Sequence, residues 1–261
     1  MTESVNIIWY GWTASLIAGL GTGVGALGIF LIRRLSAKTE DIMLSAAAGI
    51  MLAASFFSLL LPAIEYAEGQ FRHTALAVTI VMSGLLLGAL VLWMIHRFVP
   101  HEHFIAGVEG PAATVLRRIW LFIIAITLHN FPEGMAVGVG FAGGNVGNGI
   151  SLATGIGLQN LPEGLAVAAS LRAIDYPKRQ AFLVALLTGL VEPVGGLVGS
   201  AAVWLAEPLM PWTLGFAAGA MLFIISDEII PETHRGGYKH LATFALLLGF
   251  MVMMFLDITL A

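Results

Sequence analysis

The chain has 261 residues, of which 58% are hydrophobic and only 11% are Asp, Glu, Lys or Arg. That charged share is less than half of the roughly 25% found in soluble domains, and with a mean hydropathy of +0.91 it excludes an ordinary soluble fold. A net charge of −4 without any basic run excludes nucleic acid as a partner, and the lack of cysteine excludes disulfides and thiolate metal sites.

A bilayer core of about 30 Å takes roughly 20 apolar residues per helix. The sequence predicts an all-α, polytopic membrane protein: a single domain over 1–261 with eight transmembrane helices at 7–32, 41–66, 74–96, 119–143, 148–171, 181–205, 208–230 and 241–261. Helix 1 follows "MTESVN", which has an acid but no Lys or Arg, so it is expected to remain as a helix and not be removed as a signal. Its "GLGTGVGALG" run, like "GGLVG" in helix 6, lets neighbouring helices approach closely.

Helix 2 carries Met51 mid-span, with Ser58 and Glu65 toward its outer end as a candidate entrance site or simply a polar helix end. The segment 97–118 after helix 3 is expected on the cytoplasmic side. Around its start, "HRFVPHEHF" holds His96, His101, Glu102 and His103, either a weak metal sensor or a solvated loop. Helix 4 contains "HNFPEGMAVGVG" at 129–140 and helix 5 contains "QNLPEGLAVAAS" at 159–170, two copies of one unit in apolar surroundings. Helix 6 adds Glu192 in "GLVEPVGG". Asp227, Glu228, Glu232 and His234 gather at the inner end of helix 7, as an exit path or a helix end.

Basic residues give the orientation. Eleven of the twelve follow helices 1, 3, 5 and 7, and only Arg72 lies on the other side, so the positive-inside rule puts both termini outside the cytoplasm. Helices 4 and 5 then run in opposite directions. Their motifs form an inverted repeat meeting near the midplane, a recurrent way of building a transport site.

Polar groups in hydrocarbon cost several kcal/mol unless they are paired, so the two motifs need a partner. His129, Asn130 and Glu133 share one helical face through i, i+3 and i, i+4 spacing, and Gln159, Asn160 and Glu163 repeat the arrangement. Pro132, Pro162 and Pro193 remove the donors to the carbonyls of Leu128, Leu158 and Gly189, offering further oxygen ligands. Carboxylates, amide oxygens and an imidazole suit a divalent first-row metal, Zn²⁺ or Fe²⁺ over Ca²⁺. The thioether of Met51 adds softness. For each residue alone, a packing or hydrogen-bonding role is the plain alternative.

With these residues in view, the chain resembles the ZIP (Zrt/Irt-like) metal transporters, in particular the bacterial GufA-type branch. The likeness rests on His129-Asn130-Phe131-Pro132-Glu133-Gly134 and Gln159-Asn160-Leu161-Pro162-Glu163-Gly164, and extends to "MLAASFFSLLLP" at 51–62, "EPVGGLVG" at 192–199 and "GAMLFIISDEIIPETHR" at 219–235. It implies import of Zn²⁺, with Cd²⁺, Fe²⁺ or Mn²⁺ as related ions, through a two-metal site in a homodimer of the bacterial inner membrane. One metal position would use Met51, His129, Glu133, Gln159 and Glu163; the other would use Asn130, Glu133, Asn160, Glu163 and Glu192. It also implies an elevator motion of helices 1, 4, 5 and 6 against 2, 3, 7 and 8. Relatives in that branch carry Asp where this chain has Asn160, and a His-Glu pair where it has Asp227-Glu228.

Two other classes are weighed against a transporter. An intramembrane metal-dependent hydrolase would need an open water position and a His-Glu-x-x-His helix, which the sequence lacks. A metal-free cation/proton exchanger would not copurify with zinc. The orientation is directly testable: single cysteines placed at Ser36 and at Asn148 should react with an impermeant maleimide from opposite sides of an intact membrane, and reaction of both from outside would contradict the eight-helix arrangement.

Overall fold

The computed structural model describes residues 2–32, 35–98, 101–103, 107–109, 115–141, 145–173, 175–205, 207–235 and 237–260. Eight long helical stretches run through it. We label them α1 (Asn6–Leu31), α2 (Ala37–Gln70), α3 (Thr74–Phe98), α4 (Val115–Gly140), α5 (Val146–Ala173), α6 (Lys178–Val203), α7 (Met210–Arg235) and α8 (Lys239–Leu260). Among the described residues, α1, α2, α3, α6, α7 and α8 are long and apolar enough to cross a membrane by length and composition. The other two are the helices that carry the repeated motif.

Helix ends extend past the apolar runs. α2 begins at Ala37, where the Ser36 hydroxyl accepts the Thr39 N–H at 3.1 Å as an N-cap, four residues ahead of the expected start. Between α3 and α4, where a loop is expected, the backbone forms two three-residue strands, β1 (His101–His103) and β2 (Gly107–Glu109), paired antiparallel with His101 opposite Glu109. The side chains of His96, His101, Glu102 and His103 lie outside the described residues, as do Arg33 and Arg34 of the charge pattern. At the same end of the bundle, the Lys178 ammonium at the start of α6 donates to the Phe30 carbonyl near the end of α1 at 3.2 Å.

Prolines shape three helices. α6 stops at Gly189 and restarts at Glu192, because Pro193 has no N–H for the Gly189 carbonyl. That carbonyl faces α1, where a Cβ on Gly19 would sit 2.2 Å from it. α2 takes a π turn at Ser55–Leu60 ahead of Pro62, and α7 takes one at Ile225–Ile229 ahead of Pro231. In both, the proline withholds a donor that an α-helical turn would use, and the wider turn absorbs the misfit. α4 and α5 pass through Pro132 and Pro162 without a break.

Two units follow from the packing. α1 packs against α4, α5 and α6, and α4 packs closely on α6; separately, α2 packs on α8 and α3 on α7. The tightest approaches occur where glycine leaves one backbone against another: Gly164 against the Thr22 carbonyl and Gly138 against that of Gly196 in the first unit, Gly49 against Leu246 and Gly219 against Leu85 in the second. Every glycine of the described residues that meets a backbone carbonyl of another helix does so within its own unit. Across the seam, where α2 and α8 face α5, Gly155 meets the flexible side chain of Met253 instead.

A Cβ at Gly164 would fall 1.9 Å from the Thr22 carbonyl oxygen, whereas one at Gly69 meets nothing within 4 Å. Gly164→Ala should therefore destabilise the detergent-solubilised protein by about 1–3 kcal/mol, the usual cost of overpacking. Gly69→Ala should stay within about 0.5 kcal/mol. Thermal unfolding followed by tryptophan fluorescence reads both.

Candidate metal centre

The repeated motifs meet inside the first unit. His129, Asn130 and Glu133 on α4, Gln159, Asn160 and Glu163 on α5, and Glu192 at the restart of α6 are all buried, with no more than 5% exposure. Burial this deep withdraws water from three carboxylates at once, so their remaining partners decide what the site is for.

Those partners are arranged in matching pairs. The Gln159 amide donates to Glu133 Oε1 at 2.6 Å, and the Asn160 amide donates to Glu192 Oε1 at 2.6 Å. Asn160 also donates to the Ala18 carbonyl of α1 at 2.7 Å, tying the site to the helix behind it. Adjacent residues of α5 thus reach opposite neighbours, one on α4 and one on α6. Glu163 lies within electrostatic range of Glu133, Glu192 and His129.

One oxygen on each of six side chains is buried without a hydrogen-bond partner: Asn130 Oδ1, Glu133 Oε2, Gln159 Oε1, Asn160 Oδ1, Glu163 Oε2 and Glu192 Oε2. All six are acceptors, and they outnumber the one donor left over among these side chains, Asn130 Nδ2, which is also buried without a partner. Among the described residues no three His, Asp or Glu side chains converge as a ready-made cage. Like-charged carboxylates repel at short range, and the two amides keep them on separate partners.

His129 reaches outside this unit. Its Nε2 lies 2.7 Å from Glu228 Oε2, so α4 meets the π turn of α7. The sequence groups Glu228 with Asp227, Glu232 and His234; the structure divides them. Asp227 is exposed, Glu232 is buried, and His234 is oriented by the Ile230 carbonyl at 2.9 Å and by Thr243 of α8 at 3.1 Å. Met51 is fully buried in the apolar core with Ala18, Ile156 and Met253.

Ser58 and Glu65 part company in the same way. Glu65 is exposed, while Ser58 is buried and donates its hydroxyl to Asp257 of α8. The sequence reading passed over Asp257 and Ser151, and took Asn148 as an accessible labelling position; Asn148 is buried at 4% exposure, so the labelling cysteine at this end belongs at the exposed Asn145 instead. The signal was there: Asp257 is the lone acid in the apolar helix α8. Glu40 and Asp41, at the start of α2, were also passed over; Asp41 is buried at 3% exposure although it belongs to a helix end.

Comparisons with known proteins place the chain in a family. The family described as "ZIP Zinc transporter" matches residues 100–257. The chain is 47% identical to the zinc transporter GufA of Myxococcus xanthus, over 96% of this chain and 98% of that one. It is 48% identical to the zinc transporter ZIPB of Bordetella bronchiseptica, over 90% and 76%, and 36% identical to the human zinc transporter ZIP11, over 91% and 93%. With two inverted motif helices enclosing paired carboxylates and a family match across more than half its length, the chain belongs to the ZIP zinc transporter family, and is a membrane metal transporter and not an enzyme.

Proposed function

We propose that this chain imports divalent transition metal into the bacterial cytoplasm through a binuclear site between α4, α5 and α6. Zinc is the first substrate, and Cd²⁺, Fe²⁺ and Mn²⁺ compete for the path. The observation that carries the reading is the set of six buried acceptor oxygens without donors, on three carboxylates and three amides beside His129. A divalent cation satisfies several such oxygens at once and neutralises the carboxylates, and a shell of oxygens with one imidazole suits zinc.

The ligands divide between two positions. Met51, His129, Glu133, Gln159 and Glu163 serve one; Asn130, Glu133, Asn160, Glu163 and Glu192 serve the other, with Glu133 and Glu163 bridging. On metal arrival the Gln159 and Asn160 amides turn, exchanging an N–H donated to a carboxylate for an oxygen donated to the ion. His129 leaves Glu228 in the same event, and Glu228 becomes the first acidic group on the way to the cytoplasm, ahead of Glu232, Asp227 and His234. Ser58 and Glu65 line the entrance.

Movement between the two sides is by an elevator step. Support for it comes from the glycine contacts, which lock backbone to backbone within α1/α4/α5/α6 and within α2/α3/α7/α8 and leave side chains at the seam. The moving unit holds the carboxylates; Met51 and Glu228 belong to the other. Both termini lie outside the cytoplasm, the 97–118 segment lies inside and offers a metal-sensing His cluster, and the functional unit is a homodimer in the inner membrane.

Losing a bridging carboxylate leaves two like-charged ions under-neutralised, which a low dielectric penalises heavily. Glu133→Ala and Glu163→Ala should abolish zinc uptake into proteoliposomes while the protein still inserts, and Gln159→Ala should only weaken it; uptake by Glu133→Ala at the parent rate would place the site elsewhere. Glu192→Gln keeps the oxygen but removes the charge. Bound zinc should then fall from about two to about one per chain, with part of the uptake retained, since the divalent ion relies on carboxylates for charge compensation.

A further inference from the structure

The seam between the two units is crossed by polar groups at two levels. His129 against Glu228 is one. The second lies at the end of the bundle where α4 finishes, α5 begins and α8 finishes, and consists of Asn148 and Ser151 on α5, Ser58 on α2 and Asp257 on α8, all four buried.

It originates in a proline. The Ser58 carbonyl would accept from the N–H of residue 62 in a regular helix, and Pro62 has none, so that oxygen keeps acceptor capacity inside the π turn. Asn148 fills it from the other unit: its Nδ2 donates to the Ser58 carbonyl at 3.1 Å and, with its second proton, to the Gly140 carbonyl at the end of α4 at 3.2 Å. Asn148 is itself held in place, because its backbone N–H donates to the Asn145 side chain at 3.0 Å in the first turn of α5. The Ser58 hydroxyl donates to Asp257 Oδ1, which also accepts from Ser151 at 3.4 Å.

We propose that Asn148 is a clasp that keeps this end of the seam shut and releases when the α1/α4/α5/α6 unit shifts. One amide carries the link to a backbone carbonyl of the opposite unit. If the units separate, the amide proton on Ser58 and the Ser58 oxygen both lose their partner in a buried place, a penalty relieved only when water enters. The clasp therefore opens into water or not at all, and this makes the closed and open arrangements two discrete states. Asn148 is a positioning residue, remote from the metal ligands. The inference rests on the reading that the two units move against one another.

The test uses the Cys-free chain with Ile156→Cys as reporter, a fully buried position on α5 two turns beyond Asn148. In nanodiscs, where both faces meet the reagent, Asn148→Ala should raise the maleimide reaction rate at this cysteine about fivefold, the expected effect of removing the one buried hydrogen bond that crosses the seam. Pro62→Ala returns the missing N–H to the Ser58 carbonyl and leaves every clasp side chain in place, so it should raise the rate too. Asn148→Ala added to it should then have less than its effect in the parent background. A parent-level rate in Asn148→Ala, or two effects that multiply in full, would overturn the clasp; if Asn148→Ala does not accumulate, an unchanged rate in Pro62→Ala overturns it. Zinc uptake by the Ile156→Cys parent is measured in proteoliposomes from the same preparation. A parent that moves no divalent metal contradicts the transport reading itself, whereas normal uptake with labelling indifferent to Asn148 removes the clasp alone.

Discussion

Three glutamates buried in one helical unit are the constraint on which the rest of the structure depends. A carboxylate without water needs donors or a cation, and Glu133, Glu163 and Glu192 have few donors within reach. The chain supplies one amide to Glu133 and one to Glu192 through Gln159 and Asn160, leaving a second oxygen on each without a donor. This half-satisfied state is expensive for a structural core and well suited to a site that exchanges amide protons for a metal ion. The tight glycine packing behind the site follows from the same need, because ligands on three helices must be held close while the charge at their centre changes.

Proline has two distinct roles. In α6 it breaks the helix, so that Glu192 begins a new segment beside α4. In α2 and α7 it accompanies a π turn, and both π turns reach across the seam, one through the Glu228 side chain to His129 and the other through the Ser58 carbonyl to Asn148. A helix backbone that has lost a donor keeps an acceptor to spend on a neighbour. At Ser58 that neighbour, Asn148, belongs to the other unit.

Much of this was legible in the sequence. Apolar length marks where a bilayer-spanning helix lies, so eight helices could be counted, and the repeated Pro-Glu-Gly motifs named the helices that meet at the site. Helix ends were less legible, since "AKTE" and "AEGQ" at the two ends of α2 are polar yet helical: hydropathy records the membrane, while propensity and capping decide where the helix stops. Pairings between distant residues were not legible at all. Nothing in the spacing joins Glu228 to His129 or separates Ser58 from Glu65, because both follow from how two units pack. Asp257 was readable in principle as the lone acid of an apolar helix, but its partners lie 106 and 199 residues away.

The central claim is that the buried oxygens of α4, α5 and α6 hold the transported ion. An anomalous-difference map collected at the zinc edge from crystals of the purified protein tests it most directly. The account predicts two peaks sharing Glu133 and Glu163, each about 2.0–2.2 Å from its oxygen and nitrogen ligands, one of them on His129. Zinc bound only elsewhere, with Glu133, Glu163 and Glu192 keeping their amide partners, would contradict it.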